Sequence, residues 1–208
     1  TKAIIQRGEI LNKYKTMEGF EAVNARPNTI AALAAVRQNI LKDVDNPAVA
    51  RAFNMLDSRQ EGFSINDANG WGATQAKTAA TNSAKSSVQL SIDSASNPDV
   101  AMSEARTSDA IANVKFNVSR MMQLQGYGNY MSQDAQGNVT FDNSTEGQQA
   151  QAVYQQTLNA NVGKAYENIY DVKAFDPNHG NVNNAMQWLQ DNKSKMPAET
   201  YAKLLSKS

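Results

Sequence analysis

Five prolines punctuate this chain, and they limit where helices can run. A proline has no backbone N–H and its ring crowds the preceding turn, so inside a helix it breaks or kinks it; at the first helical position it fits. Three of the five follow Asn or Asp, at Asn46-Pro47, Asn97-Pro98 and Asp176-Pro177. A side-chain oxygen ahead of a proline marks a helix start. Their unequal spacing argues against a repeat array. Pro27 predicts a corner between two helices, since it also pushes Arg26 out of the helical region. Pro197 predicts the start of a last helix.

Apolar periodicity fills the intervals. A first helix is expected over about residues 3–22, with Ile4, Leu11, Tyr14, Met17 and Phe20 on one face. Beyond Pro27, Asn28 or Thr29 caps a second helix whose stripe is Ile30, Leu33, Val36 (or Ala34), Ile40 and Leu41. After Asn46-Pro47, Val49, Phe53 and Leu56 share a face and Gly62 is a stop. Residues 62–72 (GFSINDANGWG) read as loop, being rich in Asn, Asp and Gly. A long small-residue helix follows over 73–94, with Ala73, Ala76, Ala80, Ala84, Val88 and Ile92 inward. The Asn97-Pro98 helix, with a break expected near Ser108, continues to Gln125 along Ile111, Val114, Val118, Met121 and Met122.

Gly126-Tyr127-Gly128 ends that helix. Residues 129–143 read as a loop or β-hairpin turning at 135–138. Thr145-x-x-Gln148 has the capping-box pattern, and Val153 or Tyr154, Leu158, Val162, Ala165, Ile169 and Val172 mark the next long face. Beyond Asp176-Pro177, one short helix carries Val182, Ala185, Met186 and Leu189, and a last one carries Tyr201, Leu204 and Leu205. The two form a closing helical hairpin. The expected fold is all-α: an elongated multi-helix bundle with a small β-hairpin insert around 129–143. Its segments are 1–62, 63–128, 129–143 and 144–208, within one continuous helical domain. The chain opens at Thr1 rather than Met, which suggests a processed protein or a piece of a longer one.

Aromatic residues make up only 7% of the chain. Small apolar side chains bring helices close but bury little area each, so long helices in thin bundles are expected, with part of the burial supplied by partners. Lys plus Arg number 20 and Asp plus Glu 20, a balance that gives no electrostatic case for nucleic-acid or acidic-membrane binding. The absence of cysteine excludes disulfides, thiolate catalysis and Cys-based zinc sites. No run reaches the roughly 18 apolar residues of a membrane span.

No catalytic constellation emerges. His179, the sole histidine, lies in the polar stretch DPNHG and reads as a solvated loop residue; no Gly-x-Ser-x-Gly elbow accompanies it. Glu18, Glu21, Glu61, Glu104, Glu146, Glu167 and Glu199 read as solvated helix surface and caps. Gly70-Trp71-Gly72 and Gly126-Tyr127-Gly128 read as aromatic plugs at bundle ends, with the glycines turning the chain. Phosphate-cradle motifs are missing. No catalytic, cofactor-binding or metal residue is expected, and no small-molecule partner. Tyr14, Phe20, Leu33, Ile40, Phe53, Trp71, Trp188 and Tyr201 are the expected packing or interface residues.

Two blocks carry a resemblance. The first is Gly19-Phe20-Glu21-Ala22, expected at a helix end, followed by ALAAVRQNIL and NPAVARAF. The second is Asp176-Pro177, Ala185, Trp188-Leu189, Asn192, Met196-Pro197 and Tyr201 to Leu204. Together they resemble a helical region of large bacteriophage internal virion (ejection) proteins, some of which also carry a lytic transglycosylase domain. That resemblance implies a non-catalytic structural protein of the virion that helps build a conduit or scaffold for genome delivery across the host envelope. It would act as a homo-oligomer with other virion proteins of the portal, core or tail, and be delivered into the host periplasm or cell envelope. The transglycosylases have a catalytic Glu-Ser motif that this chain lacks, so any such activity would lie outside these residues. Two rival readings are a non-catalytic arm of a peptidoglycan-cleaving phage protein and a secreted filament or secretion-system subunit.

Overall fold

The computed structural model describes residues 2–134 and 137–207. Among them the fold is all-α: eight α-helices form a helical bundle, with one two-stranded antiparallel hairpin. The chain divides into two compact units, the first ending at Ala80 and the second starting at Thr81.

In the first unit, α1 (Lys2–Lys15) turns back through residues 16–18 into α2 (Gly19–Leu41), and α3 (Pro47–Ser94) begins at the Asn-Pro signal. Asn46 Oδ1 accepts from Ala48 N at 2.9 Å, so that helix start forms as expected. Pro27 makes no corner: it lies on the exposed side of α2, inside the helix. An interior proline costs about 3 kcal/mol, in part because it denies Val23 O, four residues back, its N–H partner; two other carbonyls of these turns accept side-chain hydroxyls. The Tyr14 hydroxyl donates to Ala22 O at 3.0 Å and the Thr29 hydroxyl to Ala25 O at 3.0 Å. The reversal falls instead just before Gly19, whose φ of 56° suits glycine. Gly19-Phe20-Glu21-Ala22 therefore opens α2 instead of ending α1.

The expected loop at 62–72 is also helix, and α3 runs through it without a break. Gly72 has a packing reason to be glycine: an added Cβ would come 2.7 Å from Tyr14 Oη and 2.7 Å from Arg26 Cδ. The face of α3 differs from expectation as well. Val49 and Leu56 are exposed, Phe53 is half-buried, and Asp57, Ser64, Ala68, Gln75 and Ala79 turn inward. Ala73 and Ala76 are exposed, whereas Ala84, Val88 and Ile92 are buried as expected.

The second unit holds the larger apolar core. After α4 (Pro98–Ala101), the break falls at residues 102–103 rather than near Ser108, and Ser103 caps α5 (Glu104–Leu124). Ile111, Val114, Val118, Met121 and Met122 are all buried. The hairpin pairs β1 (Met131–Gln133) with β2 (Val139–Phe141), Ser132 opposite Thr140. Of its expected turn at 135–138, Ala135 and Gln136 lie outside the described residues. Ser144, not Thr145, caps α6 (Thr145–Phe175), accepting from Gly147 N, because Ser144 is the last extended residue before the helix. α7 (Val182–Asp191) and α8 (Ala198–Leu205) follow, burying Ala185, Trp188, Leu189 and Leu204 while Val182 and Leu205 stay exposed.

Candidate functional site

The first unit builds its most distinctive side-chain cluster from three helices. α1 presents Ala3, Arg7, Ile10 and Tyr14 at helical spacing, and three of these are fully buried, Arg7 among them. Facing Arg7 across the interior is Asp57 of α3. Arg7 Nη1 donates to Asp57 Oδ1 at 2.7 Å and Nη2 to Oδ2 at 2.6 Å, a bidentate pair. Its Nε donates to the Leu33 carbonyl of α2 at 3.3 Å. Glu61, one turn beyond Asp57, reaches Arg7 Nη2 at 3.3 Å and Arg37 Nε of α2 at 3.3 Å. Two cations and two carboxylates thus share one site, which satisfies the requirement that a buried charge be paired.

Further rungs continue along α3 in the same direction. Lys15 Nζ meets Asp67 at 2.7 Å, Trp71 Nε1 donates to Met17 O at 3.3 Å, and Gln75 Oε1 accepts from Gly19 N at 2.8 Å. The last two hold the α1–α2 turn. Between the rungs lies a small apolar cluster of Tyr14, Ala22, Leu33 and Ala68, with Trp71 packed against it. Burial raises the Tyr14 hydroxyl pKa above its ordinary value, and the charge of Arg26 partly opposes this. Chemically the arrangement fixes register. Guanidinium groups hold both carboxylates, and guanidinium is a poor partner for proton transfer.

The second unit has a cleft of about 670 Å³ lined by Glu104, Lys115, Tyr166, Trp188, Asn192 and Lys195, among others. Its polar groups largely hold its own walls: Tyr166 donates to Lys195 O at 3.2 Å, and Asn192 bridges Trp188 O and Lys195 Nζ. Trp188 is buried, its ring 5.3 Å from Lys173 Nζ, so it offers no open stacking face. Burial lowers the Lys173 pKa, opposed by the nearby charge of Glu104. Among the described residues, no group of three or more His, Asp or Glu side chains could hold a metal, and no helix is long and apolar enough to cross a membrane.

The eight expected packing residues fall into two sets. Tyr14, Leu33 and Trp71 join the first unit's cluster, and Trp188 and Tyr201 join the second unit's core. Ile40 and Phe53 are half-buried, and Phe20 is 62% exposed, outside either core. His179 is exposed in its loop beside Asp176. Trp71 does secure the α1–α2 turn, but its flanking glycines are helical and turn nothing. Sequence reasoning missed Arg7 and Asp57 and placed Glu61 on the surface. The available signal was an arginine on the inward stripe of one helix and carboxylates at a four-residue spacing on another.

Helices joined by charged and polar rungs define a class, an all-α helical bundle whose polar contacts favour one register. Compared with known proteins, the chain matches no family model, no curated protein and no solved structure.

Proposed function

We propose that this chain is a non-catalytic structural part of an assembly, and that the assembly is a phage virion of the internal or ejection type. The observation that carries the first step is the distribution of large apolar side chains. In the first unit, Ile4, Ile5, Phe20, Val49, Met55, Leu56 and Phe63 stand exposed while Arg7 and Asp57 are buried. Large apolar side chains left exposed while charges are buried favour surfaces that meet a partner. The second step rests on the residues that resemble ejection proteins, chiefly the stretch through NPAVARAF and the block from Asp176 to Leu204. On this reading the helices serve a conduit or scaffold for genome delivery, assembled from copies of this chain with other virion proteins at the host envelope.

Mass spectrometry of purified particles from the source host tests it. Peptides of this chain present in intact virions and lost from DNA-emptied ones are the expected result. Peptides retained in emptied particles would make it a fixed structural component instead, and their absence from all particles would remove the phage setting.

A further inference from the structure

In the second unit, α8 runs parallel to α6. Thr200 packs on Gly163, where an added Cβ would come 2.5 Å from the threonine Oγ1. The ion pairs Lys203–Glu167 at 2.7 Å and Lys207–Asp171 at 2.9 Å follow in the same direction. The start of α8 is therefore directed back along α6, toward Asn159 and Gln156. A second cleft of about 670 Å³ lies there, walled by these parts of the two helices. Two observations show that it holds free hydrogen-bond donors. First, Pro197 stands at the N-cap of α8 and brings no side-chain oxygen. Tyr201 N makes the first bond of the helix, to Pro197 O at 3.0 Å, so the N–H groups of Ala198, Glu199 and Thr200 stand ahead of it without an intrahelical partner. Second, Thr200 is only 7% exposed, yet its hydroxyl makes no hydrogen bond among the described residues. No fully enclosed side-chain N or O among those residues lacks a partner, so this oxygen opens to the cleft that its residue lines.

We infer that this cleft takes the C-terminal end of another polypeptide, with its carboxylate at the start of α8. Three N–H groups and one hydroxyl converge there, and the partial positive charge of a helix N-terminus favours an anion. A carboxylate has the lone pairs to take these donors. Charge narrows the ligand further. Lys203 neutralises Glu167, whereas Glu199 has no ion-pair partner among the described residues. A phosphate dianion would face Glu199 with nothing to offset it. A chain end that carries Lys or Arg beside its carboxylate answers both charges. Gln156 and Asn159, exposed and three residues apart on α6, offer amide donors and acceptors to the ligand's main chain. The volume is that of a ligand cleft, well above what a small acid fills. The inference deepens the reading of the chain as an assembly part, on which it rests for the polypeptide source of the carboxylate, and is independent of the virion setting.

Amide NMR of the isotope-labelled 208-residue chain tests it. The probes are an acetylated tetrapeptide with lysine before a C-terminal alanine, the same peptide as its C-terminal amide, and acetate. The free acid should shift the amide signals of Ala198, Glu199 and Thr200 saturably. The amidated peptide should bind about tenfold more weakly or worse, since it loses charge-assisted hydrogen bonds. Thr200→Val keeps the side-chain shape but removes the hydroxyl, and should weaken the free acid by about tenfold. Thr200→Ser should restore binding. Glu199→Gln should weaken the lysine peptide by about threefold and leave an all-alanine peptide unchanged. The rest of the amide spectrum reports whether each variant stays folded.

No shift at those three amides with millimolar peptide, or equal binding of the free acid and the amide, would overturn the inference. Acetate bound as tightly as the peptide would overturn the polypeptide source and leave a site for small acids. Absence from phage particles with peptide binding intact would instead overturn the virion setting alone.

Discussion

In the second unit, Ala84, Val88 and Ile92 of α3 join a continuous apolar core with Ile111, Val114, Ile169 and Leu189. In the first unit the same helix meets its neighbours through Asp57, Glu61, Asp67 and Gln75, around an apolar cluster of only four buried residues. One helix therefore serves two kinds of packing. Apolar packing is non-directional and tolerates small shifts. Ion pairs and hydrogen bonds with defined partners permit one register and penalise others. The first unit is thus specified by polar geometry and the second by buried volume. The two tryptophans divide between them, Trp71 in the first and Trp188 in the second, so fluorescence can follow each unit separately in single-tryptophan variants.

The largest expected effect tests that contrast directly. Arg7→Leu leaves Asp57 buried opposite an apolar side chain and removes one of the partners of Glu61. Breaking a buried pair in this way costs about 3–5 kcal/mol, which should appear as an earlier urea midpoint in the Trp71 signal. Replacing the cluster together, as Arg7→Met, Asp57→Leu and Glu61→Met, should recover much of the loss. An Arg7→Leu variant within about 0.5 kcal/mol of the parent would mean that the cluster behaves as a surface ion pair. The counterpart in the second unit is Leu189→Ala, in a fully buried position. It should cost about 2–5 kcal/mol, read through Trp188. If Trp71 unfolded in step with it, the two units would melt as one and the contrast would be energetic rather than cooperative.

The same contrast explains how much of the fold could be read from sequence. In α5 and α6 the inward residues are Ile, Val, Met and Tyr among polar neighbours, so the periodicity located Val114, Val118, Val162 and Ile169 correctly. In the first half of α3 the inward residues are Asp57, Ser64 and Gln75, while Val49 and Leu56 face outward, so the same rule selects the wrong face. Pairing partners supplied by distant helices reverse what hydropathy implies at Asp57 and Arg7. Punctuation failed at particular residues for physical reasons. Pro27 is carried inside α2 with its ring on the exposed side, where it leaves the packing of the helix's inner face undisturbed. The glycines and asparagines of 62–72 each weaken a helix by no more than about 1 kcal/mol, less than the surrounding tertiary contacts return. The Asn46-Pro47 and Asn97-Pro98 helix starts were read correctly because capping is local, with both partners within three residues; Asp176-Pro177 instead ends α6 and opens a turn, and the next helix starts at Val182, capped by Asn181. Of the candidate site, only Tyr14, Leu33 and Trp71 were legible.

Glycines in α3 sharpen the comparison at a smaller scale. Gly72→Ala places a methyl against the Tyr14 hydroxyl, which is already committed to Ala22 O and cannot easily retreat. Overpacking of this kind costs about 1–3 kcal/mol, again in the Trp71 transition. Gly70, two residues earlier, has nothing within 4 Å of an added Cβ. There, Gly70→Ala should stabilise the same transition by about 0.5–1 kcal/mol through helix propensity. Equal effects at the two positions would contradict close packing of α1 and α2 against Gly72.

The smallest expected effect lies in the second unit, at the corner after α6, and is local. The carboxylate of Asp176 accepts the backbone N–H of Asn178 at 3.0 Å and of His179 at 2.8 Å, with the His179 ring at 3.1 Å. The hydrogen bond from Asn178 N is the main influence lowering its pKa below the ordinary Asp value; burial opposes the shift, and the bonds and charge of His179 add to it. A carboxyl whose folded pKa is depressed stabilises the folded form above its unfolded pKa, near 3.9, and loses that contribution as pH falls through the folded value. The corner should therefore loosen only below about pH 4. The amide signals of Asn178 and His179, followed by NMR against pH, should titrate with a midpoint below the usual Asp range. Asp176→Asn keeps an acceptor oxygen but removes the charge, so it should abolish that titration and leave the Trp188 unfolding transition almost unmoved. A wild-type midpoint at or above the ordinary Asp value would show that the turn does not hold the carboxylate. The corner would then depend on Pro177 and the end of α6 alone.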